Sequence, residues 1–232
     1  MDKVFEKITL YDILGYVFPG CFFMIILFVD FYISNNEIAI KVIKATKDHD
    51  AVIIMLALII SHIVGTIVSQ ISGTGFIAKY LFPRQARKKD INDEVLLVEI
   101  TERINEADII SALKNEGGSS YTTVNKKALD YIYDVIQVDP DYSRIHGYAS
   151  SGVLSRNSSL VCLIGFITTC GSIIFNYQQL VDNHFIYEAI LLACSLIVGF
   201  LALKERSERF EKKRVLHAVN WFVSKHNKRT NH

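Results

Sequence analysis

Residues 51–78 read AVIIMLALIISHIVGTIVSQISGTGFIA. The run contains no acidic side chain, no lysine and no arginine, and His62 is its only titratable group. A helix needs about 20 mainly apolar residues to cross a bilayer, because hydrocarbon supplies no partners for its backbone. Length and composition therefore make this stretch a membrane span. Three further stretches meet the same test: 13–33, 160–177 and 185–203. The first is interrupted only by Asp30, and the last carries Glu188 one turn inside its start. Four such runs exclude an ordinary soluble domain, as does a 232-residue chain that is 50% hydrophobic with a mean hydropathy of +0.26. The expected fold is all-α: a four-helix transmembrane bundle with a helical cytoplasmic insert between spans two and three.

Basic residues set the expected orientation. Lys79, Arg84, Arg87, Lys88 and Lys89 follow the second span, and Lys204, Arg206, Arg209, Lys212, Lys213 and Arg214 follow the fourth. The hairpin 178–184 has no lysine or arginine, and in loop 34–50 three lysines meet three acids. Both termini and the long insert are expected on the cytoplasmic side. The residues before the first span end in no small-residue cleavage site, so that span is expected to stay in the mature protein.

The domain reading follows: an N-terminal pair of spans (1–78), a cytoplasmic helical domain (79–157), a transmembrane hairpin (158–203) and a basic amphipathic tail (204–232). Within the insert, Asn92 is a candidate N-cap and apolar residues from Val95 to Leu113 keep a helical rhythm that falters near Asn105. Gly117-Gly118 closes that helix, and a second runs from about Val124 to Val138. Asp139-Pro140 then starts a helix expected to continue into the third span, with Gly147 and Gly152 too weak to stop it. In the tail, Phe210, Leu216, Val219, Trp221, Phe222 and Val223 make an apolar strip among bases. The strip fits an anionic membrane surface, for which Arg84, Arg87, Lys88, Lys89, Lys212, Lys213 and Arg214 supply charge, a partner helix, or packing on the chain's own cytoplasmic domain.

Catalytic chemistry finds no footing. Cys21, Cys162, Cys170 and Cys194 all fall in spans without metal-like spacing and read as small buried hydrophobes. Asp48-His49-Asp50 reads as solvated loop. No zinc-protease, phosphate-binding or nucleophile-elbow pattern occurs, and the Arg–His pairs at 144/146 and 214/217 do not fit the spacing of HEPN-class ribonucleases. A non-enzymatic chain without metal, cofactor or direct nucleic-acid binding is expected.

The second span carries the candidate functional stripes. Ser61, Gly65, Ser69 and Gly73 recur every fourth residue, a small-residue seam that lets backbones approach. Beside it run His62, Thr66 and Gln70, and the third span has a matching row, Thr168, Ser172 and Asn176. Polar rows in hydrocarbon face protein or water. These two either hydrogen-bond across an oligomer seam or line a narrow wet path. Asp30 and Glu188 read as boundary markers that snorkel to the interface. Pro19-Gly20 should kink the first span, as a hinge or as a static packing feature.

The approach to the first span, Leu10-Tyr11-Asp12-Ile13-Leu14-Gly15-Tyr16-Val17-Phe18-Pro19-Gly20, resembles that of a loose group of small bacterial membrane proteins. Tyr148 to Ser159, with Arg156-Asn157 ahead of the third span, fits the same layout. Many members are encoded among antiphage defence genes, and the membrane component of the Kiwa system is a four-span example of similar size. Membrane effectors of retron and CRISPR-associated systems are alternatives within the group. The resemblance covers topology along the chain and residue detail in these two pieces. It implies an inner-membrane homo-oligomer, four copies preferred, that senses membrane disturbance or perturbs the membrane on signal. The expected partners are lipid and a soluble cytoplasmic defence protein or second messenger. Two other classes stay open: a housekeeping channel or transporter, which would be expected to show an inverted repeat absent here, and a scaffold recruiting proteins through 79–157.

Overall fold

In a computed structural model the chain is described for residues 13–34, 41, 50–74, 77, 80–81, 100–101, 103–116, 121–139 and 144–227. Every extended element among them is a helix. A π-helical turn, Ile13–Val17, leads into α1 (Phe18–Ser34). Then follow α2 (Asp50–Gly73), α3 (Glu106–Asn115), α4 (Lys126–Gln137), α5 (Arg144–Phe175), α6 (Tyr177–Asp182) and α7 (Ile186–Asn227). Among the described residues four stretches are long and apolar enough to cross a membrane: Gly15–Ile33, Ile54–Gly73, Gly147–Phe175 and Ile186–His226. The expected all-α, four-span class is thus the one observed.

The chain divides into two compact units. A membrane unit comprises 1–77 and 150–207, and an insert unit comprises 78–149 and 208–232. The divisions at 149/150 and 207/208 fall inside helices, so α5 and α7 contribute residues to each unit.

In the insert unit three amphipathic helices share one apolar core. Ile109, Ala112 and Leu113 come from α3, Ala128, Leu129, Ile132 and Ile136 from α4, and Val215, Ala218, Val219 and Phe222 from α7. Each set repeats every three or four residues, which puts it on one helical face. Full burial of one such aliphatic or aromatic side chain contributes about 1.5–3 kcal/mol. The helices begin where asparagines can cap them: Asn105 accepts from Ala107 N (3.1 Å) and Asn125 from Ala128 N (3.0 Å). Asn105 therefore starts α3, where the sequence rhythm faltered. Around the core, Lys225 pairs with Asp139, and Trp221 Nε1 donates to the same carboxylate at 3.4 Å. Asp139 is thus engaged by α7; Asn92, Gly117, Gly118 and Pro140 lie outside the described residues.

Of its expected placements the tail takes packing on the chain's own insert. Val215, Val219 and Phe222 face the insert core, and Arg214 binds Glu211 at 2.7 Å while its guanidinium stands 5.3 Å from the Tyr133 ring centroid. Arg214 is therefore committed to protein, whereas Lys212 and Lys213 are exposed. Arg84, Arg87, Lys88 and Lys89 lie outside the described residues. Segment 178–184, expected as a plain hairpin loop, is largely the short helix α6, closed by His184 in the left-handed region (φ 61°). Phe185 N bonds Leu180 O (2.9 Å) and His184 N bonds Val181 O (3.1 Å), the paired bonds of a Schellman C-cap.

Candidate functional site

In the membrane unit the site is built from backbone outward, beginning at Pro19. Proline has no N–H to offer the carbonyl four residues earlier, which here belongs to Gly15. That carbonyl accepts the side-chain amide of Asn157 on α5 (Nδ2 to O, 2.8 Å). Asn157 Oδ1 in turn accepts from Ser72 Oγ on α2 at 2.7 Å. Asn157 and Ser72 are both wholly buried. One asparagine thus ties the first three spans together at a point where proline and a π-turn have loosened the first.

Next to this node α1 and α2 meet backbone to backbone. A Cβ on Gly20 would lie 1.8 Å from the Ser61 carbonyl oxygen, and a Cβ on Gly65 would lie 1.8 Å from that of Tyr16. Only glycine fits at either point. Such contacts bring carbonyl oxygens against Cα hydrogens, a weak attraction multiplied by close packing.

The seam expected from Ser61, Gly65, Ser69 and Gly73 therefore divides. Ser61 and Gly65 are buried against the chain's own first span. Ser69 is half-buried, and Gly73 ends α2 in open space. Gly20 and Pro19 are buried, so in this conformation the pair serves packing.

The polar rows also separate. His62 and Gln70 are exposed on the membrane unit's surface, and half-buried Thr66 returns its hydroxyl to the His62 carbonyl at 2.8 Å. The His62 ring stands edge-on to Tyr16, centroids 6.1 Å apart. Thr168, Ser172 and Asn176 instead line a groove of about 840 Å³ with Met24, Phe28 and Asp30 of α1. Asp30 does not snorkel: it is 8% exposed and accepts from Ser172 Oγ at 3.1 Å. That expectation rested on the place of Asp30 near the end of its span, which does not reveal which neighbour faces it. Glu188 is exposed in the first turn of α7.

Further buried hydroxyls bind α5 to α7: Ser159 Oγ donates to Phe200 O (3.1 Å) and Ser207 Oγ to Gly152 O (3.2 Å). Sequence reasoning passed over Ser72, Ser159 and Asn157 as chemistry. The only signal was the polar run 155–159 ahead of an apolar span.

Among the described residues no group of three or more His, Cys, Asp or Glu side chains could hold a metal, and the four cysteines are free. The arrangement defines a polytopic helical membrane protein whose spans are held by glycine contacts and buried amide and hydroxyl bonds. Comparison with protein-family models, curated proteins and solved structures finds no match.

Proposed function

We propose that this chain is a non-enzymatic, homo-oligomeric inner-membrane protein of antiphage defence. In this reading it acts with a soluble cytoplasmic partner, as a sensor of membrane disturbance or as a signal-gated effector that perturbs the bilayer. The observation that carries the proposal is the surface of α2. His62 and Gln70 are exposed there among Ile59, Ile63 and Ile67, each about half exposed. Polar side chains on a lipid-facing surface are costly unless a partner or water meets them. A second copy of the same surface supplies the partner, since symmetric assembly places like stripes together. Copies meeting along His62, Thr66 and Gln70 would put a polar line between them, suited to controlled leakage. The resemblance of the Pro-Gly approach and of Arg156-Asn157 to defence membrane proteins supplies the biological setting. Participation of α5 and α7 in both units gives a signal in the insert two covalent routes to the spans.

The test is membrane potential in bacteria expressing the chain, followed by a voltage-sensitive dye during phage infection. The effector form of the proposal expects depolarisation on infection that the triple variant His62→Leu, Thr66→Leu, Gln70→Leu abolishes. Protection at steady potential would select the sensor form. Absence of both in cells that also carry the neighbouring genes would overturn the defence reading.

A further inference from the structure

The exposed stripe of α2 is not chemically uniform. Thr66 Oγ1 donates to the His62 carbonyl of its own helix at 2.8 Å, so its one hydroxyl proton is already used. His62 and Gln70 are exposed, and among the described residues neither side chain makes a hydrogen bond. These two, about 12 Å apart along the helix, are the groups that hydrocarbon leaves unsatisfied. Each is donor and acceptor at once. A neutral imidazole has one N–H and one bare nitrogen, and a primary amide has N–H bonds and a carbonyl. Each can therefore pair with a second copy of itself. Copies that enter the membrane in one orientation are related by an axis along its normal, which leaves every residue at the same depth in each copy. His62 then meets His62, and Gln70 meets Gln70.

We propose that the seam between copies is closed by a bond between His62 rings and a bond between Gln70 amides, and that protonation of His62 opens it. The inference rests on the oligomeric reading given above and names what regulates that surface. An imidazolium has two donors and no acceptor. Two charged His62 rings therefore cannot bond each other, and they repel across a medium of low dielectric. A histidine changes charge between about pH 5 and 8, whereas the amide of Gln70 does not titrate. The elements around His62 bring no charge to offset its own. The π-turn offers Tyr16, whose ring stands edge-on with centroids 6.1 Å apart. On the buried side of α2, α1 sets Gly20 against Ser61 and α5 sets Asn157 against Ser72. No acid or base among the described residues pairs with His62. Acid therefore removes one of the two bonds and adds repulsion, while Thr66 stays satisfied within its own helix.

The experiment uses the full chain, carrying a donor or an acceptor dye at its N-terminus, in vesicles of phosphatidylcholine. Energy transfer between copies is followed as the chain is diluted with lipid, at about pH 8 and at about pH 5. Association should weaken at least about tenfold at the lower pH, the equivalent of losing one hydrogen bond or more. His62→Gln replaces the ring by an amide that pairs without titrating, so that variant should associate equally at both pH values. Gln70→Leu should weaken association at both and leave the tenfold ratio between them. Association of the unaltered chain that is the same at both pH values overturns the inference and leaves the oligomer standing. A pH dependence that survives in His62→Gln overturns it by assigning the effect to another group. Dissociation accompanied by loss of helicity in circular dichroism overturns it by making unfolding the cause. Absence of energy transfer at either pH removes the oligomeric reading itself, and the inference with it.

Discussion

The two units are held together by opposite means. The insert unit hides apolar side chains and leaves charge outside: Phe222, Ile132 and Leu113 lie at its centre, while Lys225, Asp139, Arg214 and Glu211 lie around it. The membrane unit does the reverse over much of its structure. Ile54, Met55, Leu58 and Ile63 are exposed, whereas Ser72, Asn157, Ser159 and Asp30 are buried. The reason is the solvent. In water, burying a phenyl ring is favourable because water is released; in lipid the surroundings are as apolar as the ring. Helices there associate through close backbone contact and through polar groups that hydrocarbon cannot satisfy.

This contrast is open to direct attack. The largest effect is expected from Phe222→Ala, which opens a cavity in the insert core and should cost about 3–5 kcal/mol. Denaturation followed by Trp221 fluorescence would register it, because Trp221 packs against the same core. A cost below about 1 kcal/mol would mean that the core is not what holds this unit.

Gly65→Ala should rank next, at about 2–3 kcal/mol by overpacking, since the new methyl meets the Tyr16 carbonyl and no flexible side chain can give way. Its damage should appear as loss of the monodisperse detergent-solubilised form, with the Trp221 transition little changed. Unfolding of both units together would show that the membrane unit's packing also governs the insert.

A smaller effect, about 1–2 kcal/mol, is expected for Asn157→Ala, in line with hydrogen bonds measured between membrane helices. The sharper prediction is its dependence on Pro19. Pro19→Ala restores an N–H one turn from the Gly15 carbonyl, so Asn157→Ala should cost less in that background. A double-mutant cycle checks this, and strict additivity would remove the link between the proline and the asparagine.

The smallest expected effect is one of pH on the insert unit. Burial, aided by the charges of Glu116 and Tyr121, pushes the Tyr131 phenol above its ordinary value. The raised group holds its proton in the folded state, donating to the Glu116 carbonyl at 3.4 Å. Its contribution is therefore whole below about pH 10, the unfolded value, and is lost as pH rises through the higher folded one. Tyr131→Phe should flatten the alkaline limb of a stability–pH curve.

Much of the fold follows from sequence because each local signal has one reading. An uncharged stretch such as 54–73 cannot be satisfied except by spanning, and the faltering at Asn105 marks a side chain that caps α3. Ser61 and Gly65 likewise announced a close approach by their size and spacing. Sequence alone could not say whether the surface approached was another copy or the chain's own first span; the structure gives the latter.

The site was less legible for the same reason throughout. Asn157, Ser72 and Gly15 lie 85 and 142 positions apart along the chain, and no local pattern links a proline in one span to an amide in another. Asp30 near a span's end is compatible with solvent or with burial, and only the facing Ser172 decides it. The apolar strip of the tail suited a membrane or a core equally, until α3 and α4 brought Ile109 and Ile132 against it.

By itself the sequence determined the solvent of the four spans, because transfer of side chains between water and hydrocarbon depends on composition and length. It determined most of the helical elements, and the cap at Asn105, through interactions within four residues. The tertiary structure alone decided the partners: which carbonyl meets Gly65, which amide serves the Gly15 oxygen, and which hydroxyl meets Asp30. Hydrogen bonds and close packing are short-ranged and directional, so they are fixed only once distant segments have been brought together.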